Sequence, residues 1–150
     1  MSHSYSSCLT HYVFSTKERR RFITPQLRER LWPYIGGIAR ENDMRALAVG
    51  GVEDHAHVLV SLPSTLTVAK GIQLLKGGSS KWLHDTSPEH RAFAWQEGYG
   101  AFSISISGVD DTIAYINSQE DHHRTRSFEQ EFVAFLKRHE IQYDERYVWG

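Results

Sequence analysis

The run GGVEDHAHVLVSLP, from Gly50 to Pro63, constrains this chain more than any other. Side chains alternate across a strand, so Ala56, Val58, Val60 and Leu62 share one face while His55, His57, Leu59 and Ser61 share the other. The wholly apolar face has to be buried, which demands a sheet with a core layered against it. The opposite face begins with two imidazoles held side by side, a geometry that grips a divalent metal. The same pair equally suits exposed polar residues on a half-buried sheet, because two ligands do not make a site. A third ligand has to come from elsewhere in the chain.

The flanking segments set the order of elements. Residues 9–15 (LTHYVFS) are aromatic and β-branched and read as a first strand. Thr24 and Pro25 supply an N-cap and a proline at the first helical position. Leu27, Leu31, Tyr34, Ile35 and Ile38 follow as a helical stripe, with a kink expected at Pro33 and an end near Asn42. Residues 45–49 form a second strand, and Gly50-Gly51 a turn or bulge into the histidine strand.

A second helix is expected over residues 67–84, interrupted at Gly77-Gly78, which weaken it by up to about 2 kcal/mol relative to alanines. Residues 99–107 (YGAFSISIS) alternate as a fourth strand, with Phe102, Ile104 and Ile106 pointing one way. Two more helices close the chain. One covers roughly residues 109–123. The other starts at Ser127, where Gln130 completes a capping-box pattern, and buries Phe128, Phe132, Phe135 and Leu136.

This β-α-β-β-α-β order predicts an α+β fold: a ferredoxin-like or RRM-like antiparallel sheet, helices on one face, and two added C-terminal helices. Such a sheet leaves its other face free to carry a site or lie against nucleic acid. With no repeat or long linker, residues 1–150 read as one domain.

Composition narrows the function classes only a little. Cys8 is the sole cysteine, so no internal disulfide forms. No apolar run reaches the ~18 residues of a membrane span. The N-terminal residues lack the basic and apolar regions of a signal peptide, so the expected home is cytoplasmic, with no membrane partner. A net charge of −1 does not advertise a nucleic-acid binder. Charge is nevertheless uneven, with a cluster at Lys17, Arg19, Arg20 and Arg21 and lysines recurring at Lys70, Lys76 and Lys81.

The segment from Asp110 to His123 carries the remaining chemistry. Tyr115, Gln119 and His122 fall at i, i+4 and i+7, a polar stripe apart from the buried Ile113 and Ile116. Either the phenol and the amide oxygen meet one substrate, or Tyr115 snorkels at the core edge and Gln119 is solvated. Histidine-triad nucleotide hydrolases and His-x-His-x-Asp-His metallo-hydrolases are excluded, since Leu59 stands where each needs a further ligand. An RNA-binding module of this sheet type would need aromatics on the free face, and the histidine strand offers none.

Six stretches together resemble the HUH single-tyrosine transposases, the TnpA type of small single-strand insertion sequences, and their REP-associated relatives. They are HYVFSTKERRRFI from His11, GGVEDHAHVLVSLP from Gly50, LLKGGSSKWL from Leu74, FAWQEGYGAFSISIS from Phe93, YINSQEDHHR from Tyr115 and IQYDERYVW from Ile141. The resemblance implies that His55, His57 and Gln119 bind a catalytic Mg²⁺ or Mn²⁺ and that Tyr115 is the nucleophile. It also implies cleavage and rejoining of single-stranded DNA bearing hairpins, through a covalent 5′-phosphotyrosine, by a homodimer. The alternative is a domesticated or inactive relative that binds structured single-stranded DNA without catalysis.

Lys17, Arg19, Arg20, Arg21, Lys76 and Lys81 lie in shared stretches and are candidate DNA contacts. Glu53 and Asp54 are placed to orient an imidazole, and His122 to reach the metal or a phosphate.

Overall fold

The structure is a computed structural model that describes residues 3–149. Met1, Ser2 and Gly150 fall outside it, so the signal-peptide reading at Met1 and Ser2 lies outside the described residues.

Four strands, β1 (Leu9–Ser15), β2 (Arg45–Val52), β3 (His55–Ser61) and β4 (Gly100–Ser103), form one antiparallel sheet in the order β2-β3-β1-β4. Helix α1 (Pro25–Glu41) joins β1 to β2, and α2 (Val68–Thr86) joins β3 to β4. This is the expected ferredoxin-like arrangement. Three short helices follow: α3 (Val109–Asn117), α4 (Gln119–His122) and α5 (Phe128–Arg138). No helix among the described residues is long and apolar enough to cross a membrane.

Thr24 caps α1 by accepting from the Leu27 N–H at 3.1 Å, and the helix runs on through Pro33. Its buried stripe is Leu27, Leu31, Ile35 and Ile38. Tyr34 leaves the stripe and stacks on Trp82 of α2 at 4.4 Å. These side chains meet Ala56, Val58 and Val60 in the main core, with Tyr12, Phe14, Ile72 and Leu75.

Helix α2 is unbroken at Gly77-Gly78, contrary to the expected interruption. A Cβ on Gly78 would lie 2.8 Å from Ile38 Cδ1, so the bare backbone lets α1 approach, and packing offsets poor helix propensity.

Three further expectations change, each for a local reason. Strand β4 stops at Ser103 because β1 begins at Leu9, whose carbonyl takes a last bond from the Ile104 N–H at 3.1 Å. Ile106 then falls in a 3₁₀ turn and is exposed. The single helix expected over 109–123 is two helices. The Ser118 hydroxyl bonds the Ala114 carbonyl at 2.9 Å and interrupts the ladder.

The largest change concerns the second sheet face, which is covered. Phe128, Phe132 and Leu136 of α5, held by the expected Ser127–Gln130 capping box, pack on Val13 and Phe102. His11, His55 and His57 on that face are buried in consequence. The polar look of the histidine strand conceals an apolar patch supplied by β1 and β4, which gives α5 something to bury against.

Candidate metal and tyrosine site

Strand alternation puts His55 and His57 on the face beneath α5, and the β1–β3 register sets His11 close beside them. Both imidazoles are fixed from behind. His55 Nδ1 lies 2.7 Å from Asp54 Oδ1, and His57 Nδ1 lies 2.8 Å from His11 Nε2. With each Nδ1 engaged, both Nε2 atoms turn toward a common point.

Gln119 and Glu131 meet them there. Gln119 Oε1 is 3.0 Å from His55 Nε2, and Glu131 Oε1 is 3.0 Å from His57 Nε2 and 3.3 Å from His55 Nε2. His123 Nε2 closes the cluster, 3.0 Å from Gln119 Oε1 and 3.3 Å from Glu131 Oε2. The Tyr115 hydroxyl donates to Glu131 Oε2. Ligand atoms of His55, His57 and Glu131 all lie within 4.8 Å of one another.

Gly50 sets the depth of the tyrosine helix. It sits opposite His57 in the β2–β3 pairing, and a Cβ there would fall 2.5 Å from the Ile116 carbonyl oxygen. Without a side chain α3 settles onto the strand, and the Tyr115 ring comes within 5.7 Å of the His57 ring.

Charge is distributed unevenly across the cluster. Burial opposes a charge on His55, but its bonds to Asp54 and Glu131 outweigh that and raise it to about 9. Burial pulls His57 below its ordinary value despite Glu131, and pulls His11 down to about 3 with help from His57. Burial also works against the Glu131 carboxylate, yet the surrounding histidines hold it well below the usual range. Tyr115 is pushed up by burial and then by the negative charge of Glu131.

These shifts set a stability profile for the metal-free protein. His11 and His57 titrate lower in the folded protein than the about 6.5 of the unfolded chain, so the unfolded chain takes up more protons in acid and stability falls with acidification there. The contribution of His55 has the opposite sign: it is fully present below about 6.5 and is lost as pH rises through about 9. Lys76, lowered to about 8 by burial, offsets part of the alkaline loss. Thermal unfolding across this range is expected to peak near pH 6.5, with the acid side steeper because two groups act there. A profile rising steadily into alkali would sink these protonation states.

The other expected site residues are scattered. Asp54 backs His55, as above, whereas the Glu53 carboxylate pairs with Arg28 at 3.2 Å. The His122 ring packs on Tyr115 at 4.5 Å, and its Nε2 lies 3.1 Å from the Ser118 hydroxyl. Lys17, Arg20 and Arg21 are exposed, and Arg20 pairs with Glu18. Arg19 pairs with Glu129 at 3.4 Å and, with Arg21, lines a cavity of about 270 Å³ that Asp54 and His123 also border. The Lys76 ammonium donates to the carbonyls of Gln96, Gly98 and Glu97 at 2.5, 3.0 and 3.2 Å, and Lys81 pairs with Asp85.

Sequence reasoning missed Glu131, His123 and His11 as members of the cluster. One signal was present: Glu131 falls on the same helical stripe as Phe128 and Phe135, a lone carboxylate among buried aromatics.

The family model described as "Transposase IS200 like" matches residues 4–119. Transposases for insertion sequence element IS200 from Salmonella typhimurium strain LT2 and from Salmonella typhi are each 27% identical over 85 residues. That match is 57% of this chain and 56% of each relative, so the chain spans a little over half the length of the curated relatives it matches. A Deinococcus radiodurans R1 crystal structure, described as a candidate transposase, superposes with a TM-score of 0.62 at 19% identity, over 79% of this chain and 96% of that one. A REP-associated tyrosine transposase bound to a REP hairpin gives 0.59 at 14% identity, over 82% and 73%. At these identities the two structures show the fold alone.

Proposed function

Because this chain belongs to the family of IS200-like transposases, we propose that it cleaves and rejoins single-stranded DNA at hairpin-bearing ends, through a covalent 5′-phosphotyrosine on Tyr115. The observation that carries this reading is the convergence of the Tyr115 hydroxyl, two outward-held Nε2 atoms and the Gln119 amide oxygen beneath one helix layer. The hairpin-bound neighbour supports the substrate class. The reading takes residues 1–150 as one transposase domain, working in the cytoplasm as a homodimer.

The donor set fits a divalent ion such as Mg²⁺ or Mn²⁺. Two imidazoles have their rear nitrogens occupied, and a neutral amide oxygen stands 3.0 Å from one of the front nitrogens. His55, His57 and Gln119 would hold the ion. The chemistry such an ion would supply there is polarisation of a non-bridging oxygen of the scissile phosphate and compensation of the charge that builds up on it.

The chain's own residues do the rest. Asp54 and His11 keep the imidazoles oriented, and α3 holds the phenol beside them. The Tyr115 oxygen bonds to phosphorus as the bond to the 3′-oxygen breaks, leaving a 5′-phosphotyrosine and a free 3′-hydroxyl. A second 3′-hydroxyl attacking that linkage reverses the step and joins new ends, and no ATP is needed because the phosphodiester energy is kept.

The test uses labelled single-stranded oligonucleotides spanning hairpins that flank the gene, with Mn²⁺ or Mg²⁺, followed by a denaturing gel. A protein–DNA adduct that vanishes with EDTA is the expected result. Tight hairpin binding without an adduct under either ion would overturn the catalytic reading in favour of a binding-only relative.

A further inference from the structure

We propose that Glu131 is a fourth protein ligand of the ion and the link that ties that ion to the nucleophile. The proposal rests on the ion-assisted reading above and adds a residue from α5, beyond the segment that matches the family.

Glu131 is 1% exposed, and a carboxylate so buried has to be compensated. Its two oxygens face different halves of the site. Oε1 points at the ion-binding side, 3.0 Å from His57 Nε2 and 3.3 Å from His55 Nε2. Oε2 accepts the Tyr115 hydroxyl and lies 3.3 Å from His123 Nε2. An octahedral ion with bonds of ~2.1 Å sets neighbouring ligand atoms ~3.0 Å apart, which is the spacing seen between Oε1 and both imidazoles.

His57 can accept the change as a neutral ring, whereas His55 would release its Nε2 proton as the ion enters. His57 Nδ1 faces His11 Nε2 at 2.8 Å, and a neutral imidazole can donate or accept there. A hydrogen moved from His57 Nε2 to Nδ1 therefore frees the Nε2 lone pair for an ion without breaking the pair. Oε1 would then coordinate the ion while Oε2 keeps the phenol, so occupancy and nucleophile placement are joined through one side chain.

The experiment measures Mn²⁺ affinity of the metal-free full chain, without DNA, from the EPR signal of free Mn²⁺, with near-UV circular dichroism to verify the fold. Glu131→Gln keeps the size and can still accept from Tyr115 but loses the charge. It is expected to weaken binding by roughly tenfold to a hundredfold. Glu131→Asp keeps the charge but draws the oxygens back, and is also expected to weaken it. The aspartate variant decides the matter should the glutamine variant not fold.

Affinity within about threefold of wild type for the folded variants, while His57→Ala loses binding, would overturn the ligand role and leave the His55–His57–Gln119 site standing. Absence of Mn²⁺ binding by the wild-type chain would overturn both.

Discussion

Phenylalanine at position 115 is expected to abolish adduct formation, a loss of at least about a thousandfold, while hairpin binding stays near wild type. The substitution removes one oxygen and little else. The ring keeps its neighbours, with His122 at 4.5 Å, His57 at 5.7 Å and Phe135 at 5.9 Å between centroids. Glu131 gives up one donor yet retains His57 and His123 within 3.3 Å, so the stability cost should stay within about 1–3 kcal/mol. A folded variant that still forms the covalent adduct would transfer the nucleophile role to another tyrosine.

Replacing His57 by alanine is expected to damage the site and the fold together. The side chain is fully buried, and its loss leaves His11 Nε2 without its partner at 2.8 Å and takes from Glu131 Oε1 the nearer of its two histidines, His55 Nε2 remaining at 3.3 Å. An unsatisfied buried partner costs about 1–3 kcal/mol, and with the packing lost from a fully buried ring a total of roughly 2–5 kcal/mol is expected. In a chain of this size that lowers Tm by about 5–20 °C. The discriminating measurement is Tm with and without Mn²⁺. Wild type should gain stability on adding the ion by mass action, and the variant should not. A variant that keeps the ion-dependent rise would remove His57 from the ligand set.

Much of this architecture was legible in the chain because local signals and tertiary structure agreed. The alternation at Ala56, Val58 and Val60, the Thr24 cap and the Ser127–Gln130 box each point to the element that forms. Pairing of Tyr115 with Gln119 was legible as a helical spacing, even though Ser118 breaks the helix between them.

What escaped has a common cause: it depends on which surfaces meet. His11 gains its role only through the β1–β3 register, and His123 only through the turn after α4. Glu131 has meaning once α5 lies over the histidines. Lys76 has a basic side chain in a family-like stretch, yet three carbonyls claim its ammonium. No one-dimensional pattern announces such a contact.

The two faces of the sheet are held by unequal cores. Beneath α1 and α2 the packing runs from Tyr12 through Leu31 and Ile72 to Trp95, whereas α5 rests on a small patch around Val13 and Phe102. Free energies of local opening follow buried apolar contact, so α5 can lift while the rest of the fold stays intact. The layer that carries Glu131 is thus expected to open before the layer of α1 and α2. Access to His55 and His57 is then expected to depend on how often α5 opens, as well as on the cavity of about 260 Å³ that His11, Tyr115 and Glu131 already border.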